Sequence, residues 1–354
     1  MSVFAEAFTT GRLEPTANPA STIVRGRVTT VKTVVTRSPI EAADYLRNGE
    51  VVAFPTETVY GLGANAFDAV AVAKIFEAKE RPADNPLIVH VGSKDDVRLV
   101  ARDVPPLASR LIEAFFPGPL TLVLPRRANI PDIVTAGLDT VGVRMPRHPV
   151  ALDLLHAAGF PLCAPSANRS GRPSPTTWKA VLEDLDGRIA CVLEGEATEI
   201  GIESTVVDAT GPELVVLRSG GLDLEAIAQL APVRMAVEAD AGERSPVSPG
   251  MKYRHYAPVA RVVPIGDSRL ARAGRDAAFI GLHTPQQPES FARCRVLPDV
   301  GSYARALFAF FRECDAAGVT TIWAELPPPD GIGAALRDRI ERASRGGMHQ
   351  NRER

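Results

Sequence analysis

Cysteine is scarce in this chain, and the scarcity excludes a disulfide scaffold. Cys163, Cys191, Cys294 and Cys314 are widely spaced and form no CxxC pair. They read as reduced core residues of a cytoplasmic protein rather than as staples or a metal cage. Long apolar runs are also missing: none approaches the ~20 residues that a membrane helix needs. No sign of charge dominates. A formal net charge of −2 argues against a protein that coats nucleic acid nonspecifically, yet leaves room for a local basic cleft. The N-terminal stretch carries Glu6, Arg12 and Glu14 without an apolar core. The expectation there is a loose extension or an early start codon, not a signal peptide. There is no HExxH, no Ser–His–Asp series with a nucleophile elbow and no glycine-rich Walker loop, so metal-hydrolytic and nucleophilic catalysis have weak support. What the chain does have is 45% hydrophobic residues over 354 positions, enough for packed cores and a length that suits two domains.

The stretch from Gly49 to Val91 organises the rest. Val51, Val52, Ala53 and Phe54 form a short apolar run ended by Pro55, which fits a buried strand. Thr56, Glu57, Thr58 and Tyr60 then crowd donors and acceptors just past it, and Gly61 and Gly63 are read as permitting tight turns. From Asp68 the pattern turns helical, with Val72, Ile75 and Phe76 on one stripe and Lys79 next on that stripe. Lys79 is either a snorkelling side chain at a helix end or a cation held towards a cleft. The second reading draws on Arg81 and Asn85, which follow at once, and on Pro82 and Pro86, which stiffen the turn. Two cations, an amide and a strand carrying His90 suit an anionic ligand such as a phosphate chain.

Elsewhere, Ser38-Pro39 opens a helix that stops at Gly49. Ser93 begins a short helix, and residues 105–115 form another. Strands are expected at 120–124, 141–143, 191–193, 205–208 and 214–217, and helices at 149–158 and, with Thr176 and Thr177 as candidate caps, through Leu185. Residues 231–258 change character, with an acidic irregular part followed by SPVSPGMKYRHYAP, and read as an interdomain linker. A second α/β pattern follows. It has strands at 262–263, 277–280 and 320–323, an amphipathic helix marked by Tyr303, Leu307, Phe310 and Cys314, and a helix from Ile332 to Ala343.

Small hydroxyls, amides and arginines gather at the strand ends of the first domain: Thr58, Asn85, Arg144, Ser166, Asn168, Ser174, Ser204 and Arg218. Taken singly, the arginines fit surface ion pairs and the serines fit turn caps. His90, alone in an apolar strand, fits a satisfied core histidine. Together, so many donors suit positioning and charge stabilisation of anionic reactants.

PTETVYGLG followed by KERPADNPLIVHV resembles the YrdC/Sua5 family of L-threonylcarbamoyladenylate synthases. The resemblance continues through PGPLTLVLP, VGVRMPRHP, APSANRSGRPSPTT, GIESTVVD and SPGMKYRHYAP, from about Val34 to Pro258. The last segment and the tail after it resemble the longer Sua5 type. The resemblance implies an α/β fold: a twisted mixed-sheet YrdC-like domain over 34–230 with a smaller Rossmann-like α/β C-terminal domain over 259–345. A linker or lid at 231–258 would join them, with an extension at 1–33 and a tail at 346–354. It also implies that Thr58, His90, Arg144 and Ser204 hold L-threonine. ATP and the adenylate would be bound by Lys79, Arg81, Asn85, Ser166, Asn168, Ser174 and Arg218, with Lys79 and Arg81 as the catalytic cations. Thr140 and the backbone near Ala164 would line the same cleft, and Tyr256 would cover the nucleotide.

The implied reaction converts L-threonine, bicarbonate or CO2, and ATP to L-threonylcarbamoyl-AMP and diphosphate. Mg2+ would ride on the phosphates, with no metal held by the protein itself. The product would pass to a transferase that makes N6-threonylcarbamoyladenosine in tRNA, with weak or no direct tRNA binding by this chain. Two rivals stay open at this point. One is a double-stranded RNA-binding module without chemistry, which the slight acidity disfavours. The other is an enzyme handling another carbamoyl adenylate, as in hydrogenase maturation proteins, which the absence of zinc-finger and acylphosphatase-like segments disfavours.

Overall fold

A computed structural model describes residues 32–82, 84–236 and 256–346. The first helix, α1 (Pro39–Arg47), is built by its local sequence. Ser38 Oγ accepts from the Glu41 amide, Pro39 sets the first turn, and Gly49 follows the last turn at φ +73°. α2 (Ala69–Lys79) starts the same way, with the Asp68 carboxylate accepting from the Val70 and Ala71 amides.

The strands of the first half are β1 (Val34–Thr36), β2 (Val52–Phe54), β3 (Gly61–Asn65), β4 (Ile88–His90), β5 (Leu120–Pro125) and β6 (Thr140–Arg144). They continue with β7 (Leu162–Cys163), β8 (Cys191–Leu193), β9 (Thr205–Asp208), β10 (Leu214–Arg218) and β11 (Val233–Met235). Among the described residues these form one mixed sheet in the order β1-β8-β2-β3-β7-β4-β6-β5-β9-β10-β11. β2 is buried along its whole length, which is why its sequence is a continuous apolar run and not an alternation.

Three expectations need correction here. Gly61 and Gly63 make no tight turn; they lie in β3, antiparallel to β2. A Cβ on Gly63 would stand 2.9 Å from the Phe54 ring, and one on Gly61 3.2 Å, so glycine is there to let that ring lie across the strand. The helix expected from Ser93 is helical only at α3 (Val97–Val100), because Ser93 Oγ is used to fix the preceding turn through the Asp96 amide. Finally, β11 falls inside the stretch read as linker. It pairs in parallel with Leu214–Val216 of β10, so the first sheet runs past residue 230. Residues 237–255, with Lys252, Arg254 and His255, and the tail from 347 lie outside the described residues.

The second sheet is all parallel in the order β12-β15-β13-β14, from β12 (Arg261–Ile265), β13 (Ala277–Gly281), β14 (Arg293–Val296) and β15 (Thr321–Glu325). The first half also carries α4 (Pro106–Phe115), α5 (Asp132–Thr135), α6 (Pro149–Ala158), α7 (Trp178–Leu185) and α8 (Leu224–Ala228), and the second sheet packs with α9 (Val300–Ala316) and α10 (Ile332–Gly346). Tyr303, Leu307, Phe310 and Cys314 of α9 are all buried, as their spacing requires. Cys163, Cys191 and Cys314 are buried, and burial pushes each thiol up to about 12. Cys294 departs from the core reading: it is exposed on β14, which closes one edge of this sheet.

The two sheets share apolar interior. Val59 and Ile202, from loops of the first half, pack in one cluster with Tyr256, Leu307 and Phe308. At Gly201 (φ +85°) the backbone lies directly on α9, where a Cβ would come 2.7 Å from the Ala304 carbonyl oxygen.

Candidate active site

His90 and Arg144 are the last residues of the adjacent parallel strands β4 and β6 and stand side by side in register. Carboxyl ends of parallel strands are where α/β sheets leave room for ligands. A pocket of about 70 Å³ opens there. Nine of the expected site residues line it: Thr58, Arg81, His90, Arg144, Ala164, Ser166, Ser204, Arg218 and Tyr256.

At one end, Arg144 is buried and its guanidinium lies 2.8 Å from the equally buried Glu57 carboxylate. Arg144 Nη2 and both Glu57 oxygens nonetheless lack a hydrogen-bond partner among the described residues. Arg144 Nε donates weakly to the Gly118 carbonyl, at 3.4 Å. His90 packs edge-on against Phe54, and its Nδ1 donates to the Ile88 carbonyl at 3.3 Å. Burial, seconded by the Arg144 charge, lowers the His90 pKa to about 3, so the ring is neutral at pH 7. Thr58 Oγ1 pairs with Thr56 Oγ1 at 2.9 Å, and Ser204 Oγ with Thr121 Oγ1 at 2.8 Å. This end offers a buried cation with spare donor capacity beside neutral groups that can both give and accept hydrogen bonds. It suits a small carboxylate bearing a hydroxyl.

Elsewhere in the lining, Arg81 is held by two backbone carbonyls, those of Asn85 and Pro86, each at 3.2 Å. Its buried Nε has no partner among the described residues, and burial lowers its pKa to about 10. Arg218 donates through Nη2 to the Ser204 carbonyl at 2.9 Å. Burial lowers its pKa as well. Ser166 enters from the loop after β7, where it bridges to Gly61.

Five expected residues do not line this pocket. Lys79 is 1% exposed, and its Nζ donates to the carbonyls of Ser166 (2.5 Å) and Asn168. The apolar stripe of α2 carries it inward, under the loop, where it supports the Ser166 loop. Asn168 is spent inside the same loop: Nδ2 donates to the Arg169 and Arg172 carbonyls and Oδ1 accepts from Ser166 Oγ. Ser174 Oγ donates to Glu203 at 2.6 Å. Asn85 is buried beside Arg81 with its Oδ1 unpartnered among the described residues. Thr140 sits about 13 Å back along β6 from Arg144, at ~3.3 Å per residue. It lines a neighbouring cavity that shares only Ile88 with the pocket.

The pocket also uses residues outside the expected set. Thr56 and Glu203 line it, and Glu57 backs Arg144. The fully buried Arg339, on α10, reaches Glu203 from the second domain. Tyr256 (φ +67°) closes one wall, stacked on Phe308 at 5.5 Å. Arg339 had a signal in the sequence: it continues the stripe Ala335, Leu336, Ile340, Ala343, just as Lys79 continues the stripe of α2.

Buried arginines and hydroxyls around the ends of β4 and β6 define an α/β enzyme site whose cations and donors suit anionic reactants. Relatives agree with that class. Residues 44–220 match the Sua5/YciO/YrdC family model, described as "Telomere recombination". Residues 222–345 match the model described as "Threonylcarbamoyl-AMP synthase, C-terminal domain". The threonylcarbamoyl-AMP synthase of Pyrococcus abyssi (strain GE5 / Orsay) is 44% identical over 319 residues, covering 86% of this chain and 93% of its own. That of Bacillus subtilis (strain 168) is 42% identical over 323 residues, covering 86% and 92%. The crystal structure of P. abyssi Sua5 complexed with L-threonine aligns at 41% identity with a TM-score of 0.80, over 89% of this chain and 98% of that one. The chain belongs to the Sua5/YrdC family of enzymes, in its two-domain Sua5 form. Among the described residues no helix is long and apolar enough to cross a membrane.

Proposed function

We propose that the chain is an L-threonylcarbamoyladenylate synthase that makes L-threonylcarbamoyl-AMP and diphosphate from L-threonine, bicarbonate or CO2, and ATP. The observation that carries this reading is the buried pair of His90 and Arg144 at the strand ends, which line one pocket together with Arg81 and Arg218. Arg144, with spare donor capacity despite Glu57, takes the threonine carboxylate. Neutral His90, Thr58 and Ser204 take its hydroxyl. The threonine amine captures bicarbonate or CO2 as a carbamate, releasing water in the first case. A carbamate oxygen then attacks the α-phosphorus of ATP, the bond to the β-phosphate oxygen breaks, and diphosphate leaves. Arg81 and Arg218 neutralise charge on the phosphates, Ser166 and the Ala164 backbone position them, and Tyr256 walls off water.

The pocket supplies cations and hydroxyls, and its one carboxylate among the described residues, Glu203, is already paired with Ser174 and Arg339. That donor set fits a nucleotide arriving with its own Mg2+, which adds charge neutralisation on the phosphates. The product goes to a tRNA threonylcarbamoyl transferase in the cytoplasm, with little direct tRNA contact by this chain.

The test is incubation with ATP, bicarbonate and L-threonine, with diphosphate release followed and the adenylate identified by mass. The expected result is product that needs all three substrates and falls when L-valine replaces L-threonine. Diphosphate release that ignores threonine would overturn the reading.

A further inference from the structure

Arg339 is 0% exposed, yet it belongs to a helix whose neighbouring inward positions are Ala335, Leu336 and Ile340. An apolar side chain would have sufficed to join two cores, and a buried guanidinium is costly unless its partners answer it. They do. Nε donates to Glu203 Oε2 at 2.8 Å, Nη1 to Asp338 Oδ2 at 2.5 Å, and Nη2 to the Ser219 carbonyl at 3.0 Å. The guanidinium carbon lies 5.1 Å from the centroid of the Tyr256 ring. Two of these contacts, Glu203 and Tyr256, are pocket-lining residues, and Ser219 directly follows a third, Arg218.

Glu203 poses a problem that Arg339 solves. A bare carboxylate in a pocket that collects phosphates would repel them across a medium of low dielectric. Burial alone pushes the Glu203 carboxyl up, but the Arg339 and Arg218 charges outweigh it and keep its pKa below the usual value.

We infer that Arg339 is a positioning residue of the active site, supplied by the second domain to neutralise Glu203 and hold Tyr256 at the nucleotide end of the pocket. The inference rests on the function proposed above. Arg339 touches neither reactant; it acts through Glu203 and Tyr256. Loss of its charge therefore weakens nucleotide use and spares the threonine end.

The experiment is a double-mutant cycle on the full chain with Arg339→Met, Glu203→Gln and the double variant. KM for ATP and kcat come from diphosphate release, and binding of L-threonine and of a nonhydrolysable ATP analogue from calorimetry. For Arg339→Met the expected result is at least about a tenfold rise in KM for ATP, with threonine affinity within about twofold of the parent. Adding Glu203→Gln should recover most of that loss, which a merely structural clasp would not allow. Should Arg339→Met fail to fold, Arg339→Lys carries the test: it keeps the charge that answers Glu203 but not the planar fork, so its KM for ATP should stay within a few-fold of the parent, and a rise of about tenfold or more would overturn the inference. Equal loss of threonine and ATP binding, or no recovery in the double variant, overturns the inference. If the parent chain makes no adenylate, the proposed function fails. The calorimetric arms with the ATP analogue then still decide whether Arg339 serves the nucleotide end.

Discussion

His90 is held neutral where an exposed imidazole would be half protonated near pH 6.5. Its folded pKa of about 3, set first by burial and then by the Arg144 charge, lies below the unfolded value. Between those two values the unfolded chain binds a proton that the native chain refuses, so stability falls as pH drops from about 6.5 towards 3 and is unaffected above that window. Replacing His90 with Gln removes this contribution. The stability gap between parent and variant, measured by urea unfolding at pH 7.5, 5.5 and 4.5, should shift in the variant's favour as pH falls; a gap that does not change with pH would sink the assignment. The Arg144–Glu57 pair makes a different demand. Both side chains are almost inaccessible, so Arg144→Ala leaves a buried carboxylate alone and should cost about 3–5 kcal/mol of stability as well as threonine binding. Glu57→Gln with Arg144 retained separates the two effects. It should keep measurable threonine binding in calorimetry, because the guanidinium that meets the carboxylate is still present.

The element that supports the nucleotide end is α2, through its last residue. Lys79 ties the Ser166–Asn168 loop from beneath by two carbonyl hydrogen bonds, and burial draws its pKa well below the usual lysine value. Lys79→Ala strips two carbonyls of their donor, worth about 0.5–1.5 kcal/mol each. Amides of residues 166–171 should exchange faster in the variant, and KM for ATP should rise with them. Unchanged exchange there would show that the loop holds itself. Elements such as α1 and α2 were legible because a cap, a proline and a stripe are local instructions. β1 and β7, three and two residues long, carry no such instruction and exist only as partners of strands far away in sequence. Gly61 and Gly63 misled for the same reason, since the Phe54 ring that requires them lies on another strand. The site residues were legible mostly through motif resemblance; spacing alone marked Lys79 but not which way it turned.

At the scale of the whole molecule, what sequence reading missed is what joins the halves. Arg339 and Glu203 are 136 positions apart. Arg312 of α9 and Asp184, joined at 2.7 Å, are 128 apart, and no local pattern pairs them. Gly201 marks how close the contact is. With backbone on backbone and φ at +85°, Gly201→Ala should lower stability by about 1–3 kcal/mol, shifting one melting transition for the whole chain instead of splitting it in two. The shared cluster of Val59, Ile202, Leu307 and Phe308 has a consequence for the chain's continuity. If each half completes the other's interior, the peptide link between them adds mainly local concentration. The gene could then be divided between codons 240 and 241 and the pieces co-expressed as separate polypeptides. They should co-purify as a one-to-one heterodimer and form adenylate together, while the first piece made alone aggregates. Two pieces that elute apart would mean that the covalent join, and not the common interior, keeps this enzyme whole.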